Sequence, residues 1–192
     1  MTVAGLVLAA GEGRRYGRPK ALVELDGERL VDRAVRLARD GGCTPVVVVA
    51  GAVPLAVADA TVVDNPLWPS GMGSSLRAGL AALPDSASAV VVLLVDTPWL
   101  DPRAVRRLIA AHRAGAELAV ATYREARGHP VLIGRGHWPD VAAAALGDSG
   151  ARTYLSGRAD VVEVDCTDTG SSADVDVPAD LDRARQGTSE PG

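Results

Sequence analysis

The sequence predicts an α/β protein with a three-layer, Rossmann-like α/β/α sandwich built on a mostly parallel sheet. Short, continuous apolar runs alternate along the chain with longer segments that carry apolar residues at helical spacing. The apolar runs lack polar alternation, which indicates strands buried on both faces. A chain of 192 residues, 47% hydrophobic and 23% charged, suits one domain with a substantial core. We therefore predict a single domain over residues 1–185 and a flexible polar tail over residues 186–192.

The first half of the chain provides three strands and a helix. Val3–Leu8 is apolar and stops before Gly11, which predicts the first strand. Leu30–Arg39 has apolar residues at helical spacing and predicts the first helix. Pro45–Ala50 and Ala60–Val63 are short runs of valine and alanine and predict two further strands.

The second half repeats this alternation. Ser74–Leu83 predicts a helix, and Ala89–Val95 is the longest apolar run and predicts a strand. Pro102–Arg113 predicts the next helix, with Asp101 as its N-cap and proline at the first helical position. Trp138–Leu146 predicts another helix from its apolar spacing.

Composition excludes several classes of function. A net charge of −4 and a pI of about 5.4 argue against a protein that coats nucleic acid. Cys43 and Cys166 lack CxxC spacing and are predicted to be free thiols in a reducing compartment. The N-terminus has no basic region before its apolar run, and no stretch reaches the roughly 20 apolar residues of a membrane span. We expect a cytoplasmic protein with neither a membrane nor a nucleic-acid partner.

A glycine-rich segment follows the first predicted strand. Gly11, Gly13 and Gly17 allow positive φ and close approach to a ligand, and backbone N–H groups in such a loop can hold phosphate oxygens. Arg15 and Lys20 would then place positive charge on either side of a triphosphate. The alternative is a tight turn without a ligand. The spacing matches neither GxGxxG nor GxxxxGK[ST], the two familiar phosphate-binding motifs.

Lys20 is the only lysine among 20 basic residues, the others being arginine. A genome biased towards arginine explains the scarcity of lysine, so that Lys20 could be a chance survivor. The functional interpretation is that a compact ammonium on a flexible stem can follow phosphate charge as it moves, whereas a rigid guanidinium matches one geometry.

The segment after the third predicted strand carries polar residues and glycine. Asn65, the only asparagine, stands at the strand end, and Gly71 precedes Ser74 and Ser75 at the start of a helix. Ser74 or Ser75 as N-cap is one interpretation. The other is that Asn65, Gly71 and Ser75 contact a nucleotide.

Carboxylates follow the fourth predicted strand and recur near the C-terminus. Asp96 ends a buried apolar run and is expected to face the ligand crevice, where Mg²⁺ would favour its oxygen atoms. Asp174 and Asp176 stand at positions i and i+2 of an extended segment and point to one face. Either could share a metal with Asp96. The alternatives are that Asp96 caps a turn and that the later pair forms a solvated loop capping the last helix.

Two further stretches carry polar residues beside predicted strands or helices. His129 precedes an apolar strand, and a lone histidine can equally be structural. Asp148 or Ser149 is a candidate N-cap of a short helix that carries Arg152.

Six blocks, taken in order, resemble a known family. LAAGEGRRYGRPK at Leu8–Lys20 resembles the signature of sugar-nucleotide-type nucleotidyltransferases with the molybdopterin-dinucleotide synthase fold. The later blocks resemble those of molybdenum cofactor cytidylyltransferases: NPLWPSGMGSSLRAGL, LLVDTPWL, GHPVLIG, GDSGAR and DVDVPADL. The resemblance extends from Leu6 to about Leu181. It implies a sheet of the nucleotide-diphospho-sugar transferase type.

The resemblance implies Mg²⁺-dependent transfer of CMP from CTP to molybdopterin with release of pyrophosphate, Mn²⁺ being a possible substitute. It also implies a molybdenum hydroxylase apo-enzyme as partner. The implied roles are nucleotide binding by Leu8, Ala9, Ala10, Gly11, Gly13, Lys20, Asn65, Gly71 and Ser75; catalysis by Arg15, Lys20 and Asp96; metal binding by Asp96 with Asp174 or Asp176; and acceptor binding by His129, Asp148 and Arg152.

The chain departs from this family at a few positions, and three alternatives stay open. Gly13 replaces a serine usual in the subgroup, and Tyr16 replaces a methionine. Guanylyltransferase relatives carry an aspartate before the lysine where this chain has Pro19, which favours CTP. The alternatives are GTP as donor, another phosphorylated metabolite as acceptor, and a non-catalytic nucleotide-binding protein that inserts a cofactor.

Overall fold

Seven strands form the central sheet in the part of the chain that this computed structural model describes, residues 1–124 and 126–187. A separate two-stranded hairpin follows the first glycine-rich loop. The strands in chain order are β1 (Thr2–Leu8), the hairpin strands β2 (Glu24–Leu25) and β3 (Glu28–Arg29), β4 (Val46–Ala50), β5 (Thr61–Asp64), β6 (Ala87–Leu94), β7 (Leu118–Tyr123), β8 (Ala126–Gly134) and β9 (Val161–Asp165). The order across the central sheet is β5-β4-β1-β6-β8-β7-β9.

The sheet is mostly parallel, as predicted. β1 lies inside it between β4 and β6, with Leu8 opposite Val49 of β4 and Leu94 of β6. Only β8 among the described strands of this sheet runs antiparallel to its neighbours, β6 and β7. The carboxyl ends of β1, β4, β5 and β6 therefore meet at one edge, which is where ligands bind in open α/β sheets.

Helices cover both faces of the sheet and complete the predicted three layers. The helices are α1 (Leu30–Asp40), α2 (Met72–Ala81), α3 (Pro102–Arg113), α4 (Trp138–Ala144), α5 (Arg152–Leu155) and α6 (Pro178–Gly187). Neighbouring strand residues point to opposite sides of the sheet. Val7 joins one buried cluster with α1, α3 and α6, and Leu6 joins the other with α2, α4 and α5. Both strand faces are thus apolar because both are covered.

The predicted helix caps had mixed outcomes. Asp101 is the N-cap of α3, and its carboxylate accepts the N–H of Arg103 at 2.7 Å. The predicted serine cap of α2 is wrong, because this helix begins two residues earlier, at Met72, with Gly71 before it. The cap predicted for α5 at Asp148 or Ser149 is also wrong, since the preceding residue is Ala151 and no side chain caps it.

The last helix ends two residues inside the segment predicted as a tail. Helix α6 extends to Gly187, and residues 188–192 lie outside the described residues. The start of α6 is held by Asp180, whose carboxylate accepts the N–H groups of Asp176 and Val177, both at 2.8 Å. The carboxylate of Asp176 takes no part in this contact and has other partners. Among the described residues no helix has the length and apolarity required to cross a membrane.

The N-cap of α3 allows a test of the fold. The hydrogen bond from the Arg103 N–H lowers the pKa of Asp101, so the stabilisation is present above the unfolded pKa of about 3.9 and is lost as pH falls through the folded value. We expect Asp101→Ala to lower the free energy of unfolding by about 1 kcal/mol at pH 7. This difference should shrink below about pH 4 in urea denaturation series.

Asp101→Asn is the matched control, because an amide oxygen caps a helix without titrating. Its free energy of unfolding should stay near wild type at pH 7. A difference between wild type and Asp101→Ala that is the same at pH 3 and pH 7 would contradict a carboxylate cap.

Candidate active site

A cleft of about 390 Å³ opens beyond the carboxyl ends of β1 and β6. Its size lies in the range of small-molecule sites. Its walls come from five segments that are distant in sequence: the glycine-rich loop, the start of α2, the end of β6, the segment after α4 and the acidic segment near the C-terminus. The predicted residues that line it are Leu8, Ala10, Gly11, Gly13, Arg15, Lys20, Gly71, Ser75, Asp96, Asp148 and Asp176.

The glycine-rich loop depends on Gly13. Its φ is +67°, and a Cβ at this position would lie 1.9 Å from the carbonyl oxygen of Arg18. The loop is closed by a hydrogen bond from the Gly17 N–H to the Gly13 carbonyl at 2.8 Å. The absence of the usual serine at position 13 is thus explained by the backbone, which has no room for a side chain there.

Backbone hydrogen bonds bring the acidic residues together. The N–H of Val175 donates to the carbonyl of Asp96 at 2.8 Å, and the N–H of Ser171 donates to the carbonyl of Trp99 at 3.2 Å. The segment before α6 is therefore fastened along the loop after β6. One carboxylate oxygen from each of Asp96, Asp174 and Asp176 falls within 4.8 Å of the other two.

Lys20 lies against two of these carboxylates. Its ammonium donates to Asp96 Oδ2 at 2.9 Å and to Asp176 Oδ1 at 2.7 Å. Arg15 contacts the other oxygen of Asp176 at 2.8 Å but is mostly exposed. Burial by itself would lower the pKa of Lys20, but the hydrogen bonds to Asp176 and Asp96 outweigh it and raise the pKa. Lys20 is therefore charged at neutral pH.

The three carboxylates suit a divalent cation. Their oxygen atoms are the hard ligands that Mg²⁺ and Mn²⁺ prefer. Three carboxylates this close repel one another unless a positive charge lies among them. Asp96, Asp174 and Asp176 would hold the ion, while Lys20 and Arg15 add positive charge beside it.

Asn65 lies behind the cleft and not in its lining. It is buried, and its amide nitrogen donates to the hydroxyls of Ser74 at 2.9 Å and Ser75 at 3.1 Å. Its amide oxygen accepts the N–H of Leu67 at 3.0 Å. Asn65 thus fastens the end of β5 to the start of α2, and only Ser75 of this group lines the cleft.

The start of α2 also packs closely against the segment after α4. The N–H of Gly73 donates to the carbonyl of Gly147 at 2.8 Å. Gly71 has φ of +104°, and a Cβ there would lie 2.6 Å from Asp148 Oδ1. The predicted acceptor residue Asp148 therefore lies beside the predicted nucleotide residues Gly71 and Ser75.

Four other predicted site residues lie outside the cleft lining. Ala9 belongs to the core, and its N–H donates to the Val49 carbonyl at 3.0 Å. His129 is half-buried, with Nδ1 at 3.5 Å from the Val92 carbonyl, and burial lowers its pKa. Arg152 is exposed on α5, and Asp174 reaches the site through the carboxylate cluster.

The cleft also contains residues that the sequence did not indicate. Trp68, Pro69 and Met72 line it between the end of β5 and α2. The feature of the sequence that could have indicated them is the stretch WPSGM, which lies between a predicted strand and a helix preceded by glycine. Apolar residues in that position resemble ordinary packing, because periodicity cannot distinguish a cleft wall from a core.

The fold and the site define a nucleotidyltransferase of the nucleotide-diphospho-sugar transferase fold. Residues 5–162 match the MobA-like NTP transferase domain. The chain belongs to this MobA-like family, which confirms the family expected from the ordered blocks.

Known relatives cover nearly the whole chain. It is 41% identical over 189 residues to Nicotine blue oxidoreductase of Paenarthrobacter nicotinovorans. This alignment covers 91% of this chain and 92% of that protein. It is 32% identical over 197 residues to molybdenum cofactor guanylyltransferase of Rhodobacter capsulatus, spanning 96% and 95%.

The solved structure of Rv0371c from Mycobacterium tuberculosis H37Rv superposes with a TM-score of 0.82 at 28% identity, covering 97% of this chain and 98% of that one. A manganese complex of Rv0371c superposes with a TM-score of 0.70 at 27% identity and 97% coverage of both chains.

The contact of Lys20 with two carboxylates has a measurable consequence. We expect Lys20→Met to bind Mn²⁺ about tenfold more tightly without nucleotide, because one unit charge close to a cation site is worth on the order of 1–4 kcal/mol. The same variant should bind nucleoside triphosphates more weakly, since the positive charge is lost. Electron paramagnetic resonance of free Mn²⁺ measures the first effect, and calorimetry measures the second.

Arg36→Met is the matched control, because Arg36 of α1 pairs with Glu28 of β3 and has no carboxylate of the cluster as partner. Its Mn²⁺ affinity should stay within about twofold of wild type. Weaker Mn²⁺ binding in Lys20→Met than in the control would contradict the competition between ammonium and cation.

Proposed function

We propose that this protein transfers a nucleoside monophosphate from GTP to the phosphate group of a molybdopterin, with release of pyrophosphate. The observation that carries the proposal is the meeting of Lys20, Asp96, Asp174 and Asp176 at a cleft walled by a glycine-rich loop. That combination serves nucleotidyl transfer because the reaction requires in-line positioning and charge neutralisation more than proton transfer.

In the proposed reaction an oxygen of the acceptor phosphate attacks the α-phosphorus of the triphosphate. A new phosphorus–oxygen bond forms there, and the bond from the α-phosphorus to the bridging oxygen of the β-phosphate breaks. The electron pair leaves with pyrophosphate. No general base is required, because the attacking phosphate oxygen already carries negative charge.

The residues of the cleft divide this work. Gly11 and Gly13 allow the loop backbone to approach the triphosphate. Lys20 lies against the acidic cluster, and Arg15 lies at the exposed rim of the cleft. Both neutralise negative charge on the leaving pyrophosphate. A divalent ion held by Asp96, Asp174 and Asp176 supplies further charge neutralisation and orientation when bound. Mg²⁺ is the proposed ion, and a manganese complex of the similar Rv0371c supports Mn²⁺ as a substitute.

The choice of GTP departs from the CTP that the sequence favours. The relative from Rhodobacter capsulatus is named a molybdenum cofactor guanylyltransferase and aligns over 95% of its own length. Relatives of that name support GTP and a molybdopterin acceptor more strongly than the single Pro19 supports CTP. CTP therefore becomes the competing donor in the test.

The acceptor is expected to approach beside the carboxylate cluster. Of the residues predicted for it, Asp148 lines the nucleotide end of the cleft, whereas His129 and Arg152 lie outside the lining. We propose that Asp148 belongs to the nucleotide side, and that the acceptor approaches past Asp174, the exposed member of the cluster. A molybdenum hydroxylase apo-enzyme, the partner expected for a product made from CTP, is the proposed recipient if the donor proves to be CTP.

The experiment measures pyrophosphate release with molybdopterin and Mg²⁺, comparing GTP, CTP, ATP and UTP. We expect release with GTP that depends on both the acceptor and the metal. Asp96→Asn should reduce turnover about 10²- to 10³-fold, as loss of one charge-stabilising group does in other enzymes. Asp160→Asn, which only breaks a surface pair with Arg158, should retain full turnover.

Each other outcome has a distinct meaning. Release with CTP alone would restore the cytidylyltransferase interpretation. Release without acceptor would indicate hydrolysis. Full turnover of Asp96→Asn would contradict the proposed metal site, and binding without turnover for any nucleotide would favour a cofactor-insertion protein.

A second candidate function comes from the 41% identity to Nicotine blue oxidoreductase over 92% of that protein. This candidate is a redox reaction of nicotine blue, for which NADH is supplied as electron donor in the test. Cys43 and Cys166 are buried, and burial raises the pKa of both thiols, so neither offers a thiolate as electron donor. Anaerobic loss of absorbance at 340 nm with nicotine blue would favour this candidate, and its absence would favour nucleotidyl transfer.

A further inference from the structure

The side-chain amide of Asn65 has a fixed orientation. The backbone N–H of Leu67 can only donate, and it points at Oδ1 of Asn65 at 3.0 Å. The oxygen end of the amide must therefore face Leu67, and the NH₂ end must face Ser74 and Ser75, at 2.9 and 3.1 Å. Since Asn65 is 4% exposed, water does not compete for these bonds.

The two serines use their hydrogens differently. The hydroxyl of Ser74 has two carbonyl acceptors, Leu67 and Gly71, each at 2.9 Å. The hydroxyl of Ser75 accepts from Asn65, and within residues 1–124 and 126–187 no hydrogen bond takes its hydrogen. Ser75, and not Ser74, lines the cleft.

We infer that Asn65 is a positioning residue that turns the hydroxyl hydrogen of Ser75 towards the cleft. Because the amide NH₂ occupies a lone pair of Ser75, the O–H bond points away from Asn65. Ser75 then acts as a donor to the nucleotide, and the atom it meets is an acceptor, such as a carbonyl oxygen or a ring nitrogen. This inference rests on the proposed function, since it requires a nucleotide in the cleft.

A carboxylate at position 65 would reverse the arrangement. Aspartate has nearly the same shape as asparagine and still accepts the N–H of Leu67, but it cannot donate when ionised. The Ser75 hydroxyl would turn its hydrogen to the carboxylate and present a lone pair to the cleft. Alanine at position 65 would instead leave that hydroxyl free to rotate.

The test measures the affinities of GTP and CTP by calorimetry at pH 8 in Mg²⁺, using the nucleotide that wild type binds more tightly. We expect Ser75→Ala to lose about tenfold in affinity, the effect of one hydrogen bond. Asn65→Asp should lose at least as much, and Asn65→Ala should lose less. Ser74→Ala, which has the same Asn65 contact but does not line the cleft, should stay within about twofold of wild type.

The double variant Asn65→Asp/Ser75→Ala separates the loss of the donor from simple charge repulsion. If Asn65 acts through Ser75, the double variant binds no more weakly than Asn65→Asp. An additional tenfold loss in the double variant would overturn the inference, because the added charge would then act independently of Ser75.

The remaining outcomes are also decisive. If Asn65→Asp binds as wild type while Asn65→Ala loses most affinity, Asn65 is only a clamp and the inference is wrong. If Asn65→Asp lacks a cooperative melting transition, the nucleotide affinity of Asn65→Ala decides the question. An affinity of Asn65→Ala between those of wild type and Ser75→Ala supports the inference. An affinity of Asn65→Ala equal to that of wild type overturns it. Wild type that binds neither nucleotide refutes the proposed function together with the inference, whereas equal binding by wild type and all variants refutes the inference alone.

Discussion

The charge balance around Lys20 is the constraint on which the site depends. Asp96 and Asp176 both contact its ammonium, at 2.9 and 2.7 Å, and Asp174 lies within the same small volume. Three carboxylates cannot share such a volume without positive charge, so the residue after the glycine-rich loop and the residues before the last helix depend on one another. A divalent cation fits this arrangement because its positive charge offsets the three carboxylates. A triphosphate fits because its negative charge can pair with the cation and with Lys20.

Packing of the loops at the sheet edge holds these charges in place. The segment before α6 is hydrogen-bonded along the loop after β6, through Val175 to Asp96 and Ser171 to Trp99. Opposite this wall, the start of α2 is fixed by Asn65 and by the close contact of Gly73 with Gly147. The cleft thus has an acidic side and a serine side, each held by hydrogen bonds, with the glycine-rich loop between them. Defined placement of reacting groups is what nucleotidyl transfer gains from a protein.

Much of the fold and of the candidate site could be predicted from the sequence, and most of the exceptions have physical causes. Strands β1, β4 and β6 were evident because buried parallel strands are continuously apolar, and the N-cap at Asp101 was evident from Asp-Pro at a helix start. Strand β9 was not predicted, because it exposes most of its residues at the sheet edge and its sequence resembles a loop. Strand β7 was not predicted either, although its run is short, apolar and buried. The start of α2 was misplaced because Gly71 begins the helix through its backbone and leaves Ser74 and Ser75 for Asn65.

The sequence by itself determined the fold class, the family and the residue types of the site, since these follow from periodicity and from ordered local blocks. Only the tertiary structure decided which of those residues meet. Asp174 and Asp176 meet Asp96 because backbone hydrogen bonds join two distant loops. Asn65, predicted to contact the nucleotide, lies behind the cleft, and Asp148, predicted to contact the acceptor, lies beside Gly71. Such contacts depend on how loops at the sheet edge pack in three dimensions, and spacing along the chain does not encode that packing.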